Sequence, residues 1–181
     1  MKLLAVIPAR VNSRRLFGKN FRQFFGKPII SWAIDEAVKS EIFDKIVIST
    51  DYNGQIDDYD VTVEKRNIAL CSDTATVDEV CLDVLSRYQG YDYMCCIYPT
   101  AYAVMWEDLL KGFGCYSYGM LNGKYNSDNG GFYWCKVEDF LRTKKIPMQK
   151  PYKMEMVDIN TIEDFMQAKI HAKSIWGKFK C

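Results

Sequence analysis

Residues 3–7 (LLAVI) form an unbroken apolar run stopped by Pro8, the pattern of a strand buried on both faces. A cation-rich polar stretch follows, and Gly26-Lys27-Pro28 then makes a turn that places Pro28 near the first turn of a helix. Ile29, Ile30, Trp32, Ala33, Ile34, Ala37 and Val38 continue that helix at a spacing of three and four. Residues 45–50 (KIVIST) predict the next strand, ending at Asp51. Strand, loop, helix, strand is a βαβ unit, and such units imply a parallel sheet with right-handed crossovers.

Further along, residues 61–64 predict a short third strand. Residues 76–88 predict a helix with Val77, Val80, Cys81, Val84 and Leu85 on its apolar face. Residues 93–97 (YMCCI), followed by Pro99, predict a fourth strand. A short helix is expected at 106–113, a strand at 115–120, a strand at 132–135 after Gly130 and Gly131, a short helix at 137–141 and a last strand at 152–157. Thr161-Ile162-Glu163-Asp164 resembles a capping box opening the final helix. Its apolar positions are Ile162, Phe165, Met166, Ala168, Ile170 and Ala172. With no repeats or linker-like stretches, residues 1–181 read as a single α/β domain: a three-layer αβα sandwich around a mainly parallel, Rossmann-like sheet.

Composition narrows the function classes. The 181 residues are 49% hydrophobic and 26% charged, enough for one real core. A net charge of +1 argues against a general polyanion binder, so the early cations are a local feature. No basic stripe with interleaved aromatics extends beyond them, which disfavours nucleic acid. The seven cysteines (Cys71, Cys81, Cys95, Cys96, Cys115, Cys135 and Cys181) contain no CxxC pair, and His171 stands alone. They read as reduced thiols rather than zinc ligands. No run reaches the roughly 18 apolar residues of a membrane span, and the first run is too short for a signal peptide. The expected location is cytoplasmic.

In an open parallel sheet ligands bind beyond the carboxyl ends of the strands, where the loop after the first strand lies. Arg10, Ser13, Arg14 and Lys19 offer cations and a hydroxyl there, alongside backbone amides. Such a set can hold a triphosphate. It can equally be a solvated basic loop, since neither GxxxxGK[ST] nor GxGxxG is present.

The string ARVNSRRLFGKN, with FGKP and FDKIVISTD after it, resembles the cytidylyltransferases that activate nine-carbon acidic sugars, the acylneuraminate and pseudaminic acid enzymes. RNIALCSDTAT, CCIYPTA, DNGGFYW and DINTIEDF match further family motifs in the same order, and CCIY and GFYW look closer to the pseudaminic acid branch. The resemblance covers roughly residues 1–100 and 126–170. It implies a nucleotide-diphospho-sugar transferase sheet. It also implies attack of the sugar's anomeric hydroxyl on the α-phosphate of CTP, with loss of pyrophosphate and help from Mg²⁺ or Mn²⁺. Carried over by position, Arg10, Ser13, Arg14, Lys19 and Asn20 would form the nucleotide loop, with Arg10 and Lys19 on the triphosphate. Asn20 separates the family from the octulosonate cytidylyltransferases. Arg66 and residues 72–76, including Ser72 and Thr76, would recognise cytosine; their alternative reading is a salt-bridged surface arginine and a helix cap. Tyr98 and Thr100 would face the sugar. Asp158 would hold the metal and, with Arg10 and Lys19, carry catalysis.

The chain also departs from the family. The two metal carboxylates become Asp158 and Asn160, and an amide brings no charge to a hard cation. Val11, Asn12, Phe17 and Val104 replace residues usual in relatives. The 27 residues between Thr100 and Asp128 are fewer than the family's sugar-binding and dimer-exchange segment needs, which counts against a homodimer of the usual kind. Two alternatives therefore stand beside the enzyme: a nucleotide-binding homologue with impaired turnover, and a cytidylyltransferase for a different acidic sugar such as an octulosonate.

Overall fold

The computed structural model describes residues 1–54, 56, 60–121, 124–148 and 150–177, with backbone alone over 118–121 and 124–127. Cys181 lies outside the described residues.

The first half follows the expected alternation: β1 (Leu3–Ala9), α1 (Ile29–Lys39), β4 (Lys45–Thr50), β5 (Thr62–Lys65), α2 (Val77–Arg87) and β6 (Tyr93–Ile97). Between β1 and α1 lies a small hairpin of β2 (Gln23–Phe24) and β3 (Lys27–Pro28). The second half contains α3 (Trp106–Lys111), β7 (Tyr116–Leu121), β8 (Lys124–Lys136), α4 (Val137–Thr143), β9 (Pro151–Lys153) and α5 (Ile162–Trp176). Seven strands form one sheet in the order β5-β4-β1-β6-β8-β7-β9. The β1–β4, β1–β6, β4–β5 and β7–β9 pairs are parallel, and β8 runs antiparallel to both its neighbours.

Period-two alternation explains the layers. Along β1, Leu3, Ala5, Ile7 and Ala9 join the core beneath α1, α3 and α5, while Leu4 and Val6 join the core beneath α2 and α4. On β6, Cys95 and Ile97 face the first core and Met94 and Cys96 the second. This is the expected αβα sandwich. Cys81, Cys95, Cys96 and Cys135 are buried and free, as a reduced set should be.

Four details differ from the sequence reading. The strand expected at 132–135 is the end of a 13-residue β8, reversed by its pairing in a hairpin with β7. The last strand stops at Lys153 rather than Val157, because side chains claim the backbone beyond it. The Asn129 amide donates to the Met154 carbonyl at 3.1 Å, and the Val157 N–H donates to the Tyr102 hydroxyl at 3.2 Å. Of the six apolar α5 positions named above, Phe165, Ala168 and Ala172 enter the core, leaving Ile162, Met166 and Ile170 exposed. The β2–β3 hairpin had no clear signal, since its turn residues are Phe25 and Gly26, at φ 51° and 87°. A bulky residue is costly there; the Phe25 ring packs edge-on against Phe24 and Trp176.

Candidate nucleotide site

A cavity of about 590 Å³ opens beyond the carboxyl ends of the parallel strands. The loop after β1 forms one wall, and its path is fixed by backbone anchors. The Val11 N–H donates to Asp51 Oδ1 at 2.7 Å, and the buried Asn20 amide donates to the Arg10 carbonyl at 2.9 Å. Arg22 Nε donates to the Phe17 carbonyl, and Leu16 is buried. Gly18, at φ 64°, starts the 3-10 turn that carries Lys19 and Asn20. Arg22 is therefore a loop anchor, whereas Arg10, Ser13, Arg14, Arg15 and Lys19 line the cavity.

Two ionic groupings hold these cations. At the mouth, Asp73 bridges two arginines: Arg10 Nη1 lies 2.7 Å from Oδ1 and Arg14 Nε 2.8 Å from Oδ2. Arg10 also donates to the Ser72 carbonyl at 3.0 Å. On the opposite side, Arg15 Nη2 donates to Asn160 Oδ1 at 2.7 Å, and Asn160 Nδ2 donates to Asp158 Oδ2 at 2.6 Å. Only this amide orientation satisfies both neighbours, since Arg can only donate and a carboxylate only accept. Lys19 Nζ donates to the Ile159 carbonyl at 2.6 Å. Burial pushes the Lys19 ammonium below its usual pKa, and the Asp158 charge partly offsets this. Burial likewise pushes Asp158 up, opposed by the Asn160 hydrogen bond and by Lys19.

Arg66 forms the inner wall. It is 5% exposed, donating from Nη2 to the Ser49 carbonyl at 2.7 Å and from Nε to Ser49 Oγ at 3.3 Å. It makes no ion pair among the described residues, and burial lowers its pKa. The salt-bridged surface arginine of the alternative reading is thus not what is found. Thr76 lines the cavity while capping α2, its Oγ1 accepting from the Glu79 N–H at 3.2 Å. The Ser72 hydroxyl accepts from the Ala75 N–H at 3.2 Å and does not line the cavity. Tyr98, half-buried, and Thr100, buried, line it beyond β6. Gly130, at φ 67°, passes so close that an added Cβ would sit 3.3 Å from the Tyr98 ring and 3.4 Å from Asp158 Oδ1.

Among the described residues five cations, Arg10, Arg14, Arg15, Lys19 and Arg66, surround the cavity, and Asp73 is the one carboxylate lining it. Such a basin favours a polyanion with more charge than Asp73 alone supplies. Among the described residues no group of three or more His, Cys, Asp or Glu could cage a metal. Asp158 is half-buried and, unlike Asn160, does not line the cavity; as the carboxylate of the pair it is the residue that would hold a Mg²⁺ taking its other oxygens from waters and a bound phosphate. Asn160 turns its oxygen to Arg15, which leaves Asp158 as the better ligand of the two.

The family model for cytidylyltransferases matches residues 4–113, the stretch that builds β1, the cationic loop, Arg66 and Tyr98. The chain belongs to the cytidylyltransferase family. It is 39% identical over 119 residues to the pseudaminic acid cytidylyltransferase of Campylobacter jejuni, covering 61% of this chain and 51% of that protein. It is 42% identical over 97 residues to the CMP-N,N'-diacetyllegionaminic acid synthase of Legionella pneumophila, covering 51% and 41%. This family member therefore spans about half the length of the curated relatives it matches. A solved structure of CMP:2-keto-3-deoxy-manno-octonic acid synthetase complexed with CTP shares the fold, with a TM-score of 0.70 over 96% of this chain and 99% of that one, at 13% identity.

The structure adds Asp73 and Arg15 to the residues expected from sequence. Asp73 lies within the 72–76 segment that the resemblance assigns to cytosine, with no ionic role expected of it, and Arg15 is a further cation of the same loop to which the resemblance gives no part. Their partners lie 63 and 145 residues away, beyond the reach of spacing arguments.

Proposed function

We propose that this chain binds CTP in the cationic cavity and transfers CMP to the anomeric hydroxyl of an acidic nine-carbon sugar, of pseudaminic or sialic acid type, releasing pyrophosphate. One observation carries the reading: among the described residues, five cations and one carboxylate line a cavity at the strand ends. Arg10, Arg14 and Lys19 would neutralise the triphosphate and steady the leaving pyrophosphate, which is most of what phosphoryl-type transfer asks of a protein. Arg66 retains unused donors facing the cavity and would read an acceptor edge of cytosine, with Thr76 beside it. Tyr98 and Thr100 would line the sugar side. Asp158 would hold Mg²⁺ or Mn²⁺, which when bound supplies charge stabilisation at the phosphates. The buried free cysteines suit a reducing cytoplasm, and the described residues include no helix long and apolar enough to cross a membrane.

The test is pyrophosphate release from CTP with Mg²⁺ or Mn²⁺ and a panel of nonulosonic and octulosonic acids. Release with a nonulosonic acid supports the reading; release with an octulosonate alone moves the substrate. CTP binding without release from any sugar favours the second reading, a nucleotide-binding homologue. The observation behind that alternative is an amide, Asn160, tied to Arg15 where relatives supply a metal carboxylate. Lys19→Ala is expected to weaken CTP binding at least about tenfold, since it removes a charge-assisted contact from a partly desolvated site. Equal affinity in calorimetry would return the loop to a solvated surface.

A further inference from the structure

Asp158 is half-buried and in no ion pair among the described residues; an amide holds it instead, Oδ2 accepting from Asn160 Nδ2 at 2.6 Å. The same amide accepts through Oδ1 from Nη2 of the exposed Arg15 at 2.7 Å. Cation, amide and carboxylate thus form a chain in which Asn160 uses both its ends. Other groups pin the backbone around it. Lys19 Nζ donates to the Ile159 carbonyl at 2.6 Å, and the Asn160 and Thr161 N–H groups donate to Asp164 Oδ2 at 2.9 and 2.8 Å. The part free to turn is the Asn160 side chain, and Arg15 is what steadies it.

Both ends of the chain meet a ligand of the proposed reaction. Arg15 lines the cavity, where a triphosphate would compete for its donors, and Asp158 is the carboxylate that would hold the metal. While Asn160 Nδ2 points at Asp158 Oδ2, its amide hydrogens occupy the approach that a hard cation needs. An ionised phosphate oxygen is a stronger acceptor for a guanidinium than a neutral amide oxygen is. Once a phosphate draws Arg15 away, Asn160 loses the bond that orients it, and its cover over Asp158 loosens.

We propose that Arg15 and Asn160 are positioning residues that form a latch, keeping Asp158 from a divalent cation until a nucleoside triphosphate claims Arg15. The latch deepens the nucleotidyl-transfer reading and rests on it for the identity of the ligand at Arg15. Nucleotide and metal are then coupled through the amide, each binding more tightly once the other has opened it.

The two ends are tested apart, on the full chain, with circular dichroism confirming that each variant folds. Electron paramagnetic resonance of Mn²⁺ titrated without nucleotide measures the metal end. Asn160→Ala is expected to bind Mn²⁺ about threefold or more tightly than wild type, although it deletes a polar side chain beside the carboxylate, and adding Asp158→Asn should remove the gain. Arg15→Met, at an exposed position, should also tighten Mn²⁺ binding. In that background Asn160→Ala should gain less than about 1.5-fold, because the latch is already open; an Arg15 acting by charge alone would leave the gain whole. Calorimetry with CTP in EDTA measures the other end, where Asn160→Ala should bind about two- to threefold more tightly, since Arg15 no longer has to be released. Weaker Mn²⁺ binding in Asn160→Ala would make the amide a ligand and overturn the latch. So would an unchanged constant in either single variant, or a gain undiminished by Arg15→Met. A wild type that binds no CTP overturns the transfer reading and the nucleotide's part in the latch together, whereas a failed Mn²⁺ series with normal CTP binding overturns the latch alone.

Discussion

At the residue scale the sharpest feature of the site is the Asp73 carboxylate, which takes up donors of Arg10 and Arg14 that a phosphate would otherwise use. With Asp73 side-chain exposure at 35%, the contact is open to exchange rather than locked in the core. On the proposed reading it would act as an internal competitor: Asp73 pairs with Arg10 and Arg14, and a triphosphate binding there would have to displace the carboxylate. Asp73→Asn keeps the shape and removes the charge. It is expected to tighten CTP binding by about two- to fivefold, the scale of a solvent-exposed ion pair. Calorimetric titration measures this, and weaker binding would make Asp73 a positioning group instead. Asn160 leads to a second substitution. Asn160→Asp places another carboxylate beside Asp158, so saturation of turnover should need less Mg²⁺; an unchanged Mg²⁺ titration would put position 160 away from the metal. The loop cations were legible because charge beyond a buried strand is a local pattern. The job of each was not. Asn20 spends its amide on the Arg10 carbonyl and Ser72 its hydroxyl on the Ala75 N–H, and both bonds depend on how the loops turn rather than on residue type.

Among the elements, α5 and the chain leading into it show where periodicity stops being informative. Ile162, Met166 and Ile170 fit a helical pattern as well as Phe165, Ala168 and Ala172 do, and nothing local says which set meets the sheet. Similarly, residues 154–157 have strand-like composition but lose their ladder to Asn129 and Tyr102. Tyr102 also ties α5 to the loop after β6. Its hydroxyl accepts from the Val157 N–H at 3.2 Å and shares a hydrogen bond of 2.8 Å with His171 Nδ1. Burial lowers the His171 pKa from its ordinary 6.5, only partly opposed by Glu155. A base with a depressed pKa in the folded state binds fewer protons there than when unfolded. Its contribution is therefore complete above pH 6.5 and is lost as pH falls below that value. The thermal unfolding midpoint should fall between about pH 7 and pH 5.5, and His171→Gln should flatten the slope in that window. A wild-type slope matched by the variant would remove His171 as the cause.

For the molecule as a whole, the parallel half was readable because βαβ units make neighbouring strands parallel: α1 lies between β1 and β4, and α2 between β5 and β6. The reversed β8 and the edge strand β9 were not, since an antiparallel return depends on how a hairpin docks rather than on its own pattern. Charge shows the same division between local and global. Net charge is only +1, yet among the described residues five cations converge on one cavity with a single lining carboxylate, so positive potential gathers at the strand ends. Two salt dependences should then separate. Raising NaCl from about 0.05 to about 0.3 M shortens the Debye length from about 14 Å to about 6 Å, screening a partly open basin far more than a dry core. The dissociation constant for CTP is expected to rise about five- to tenfold over that range at fixed Mg²⁺, while the unfolding midpoint moves little. The pair of measurements is calorimetric titration and differential scanning at matched salt. A dissociation constant that stays flat would mean that the five cations do not act together on the nucleotide, and that base and sugar contacts carry its affinity.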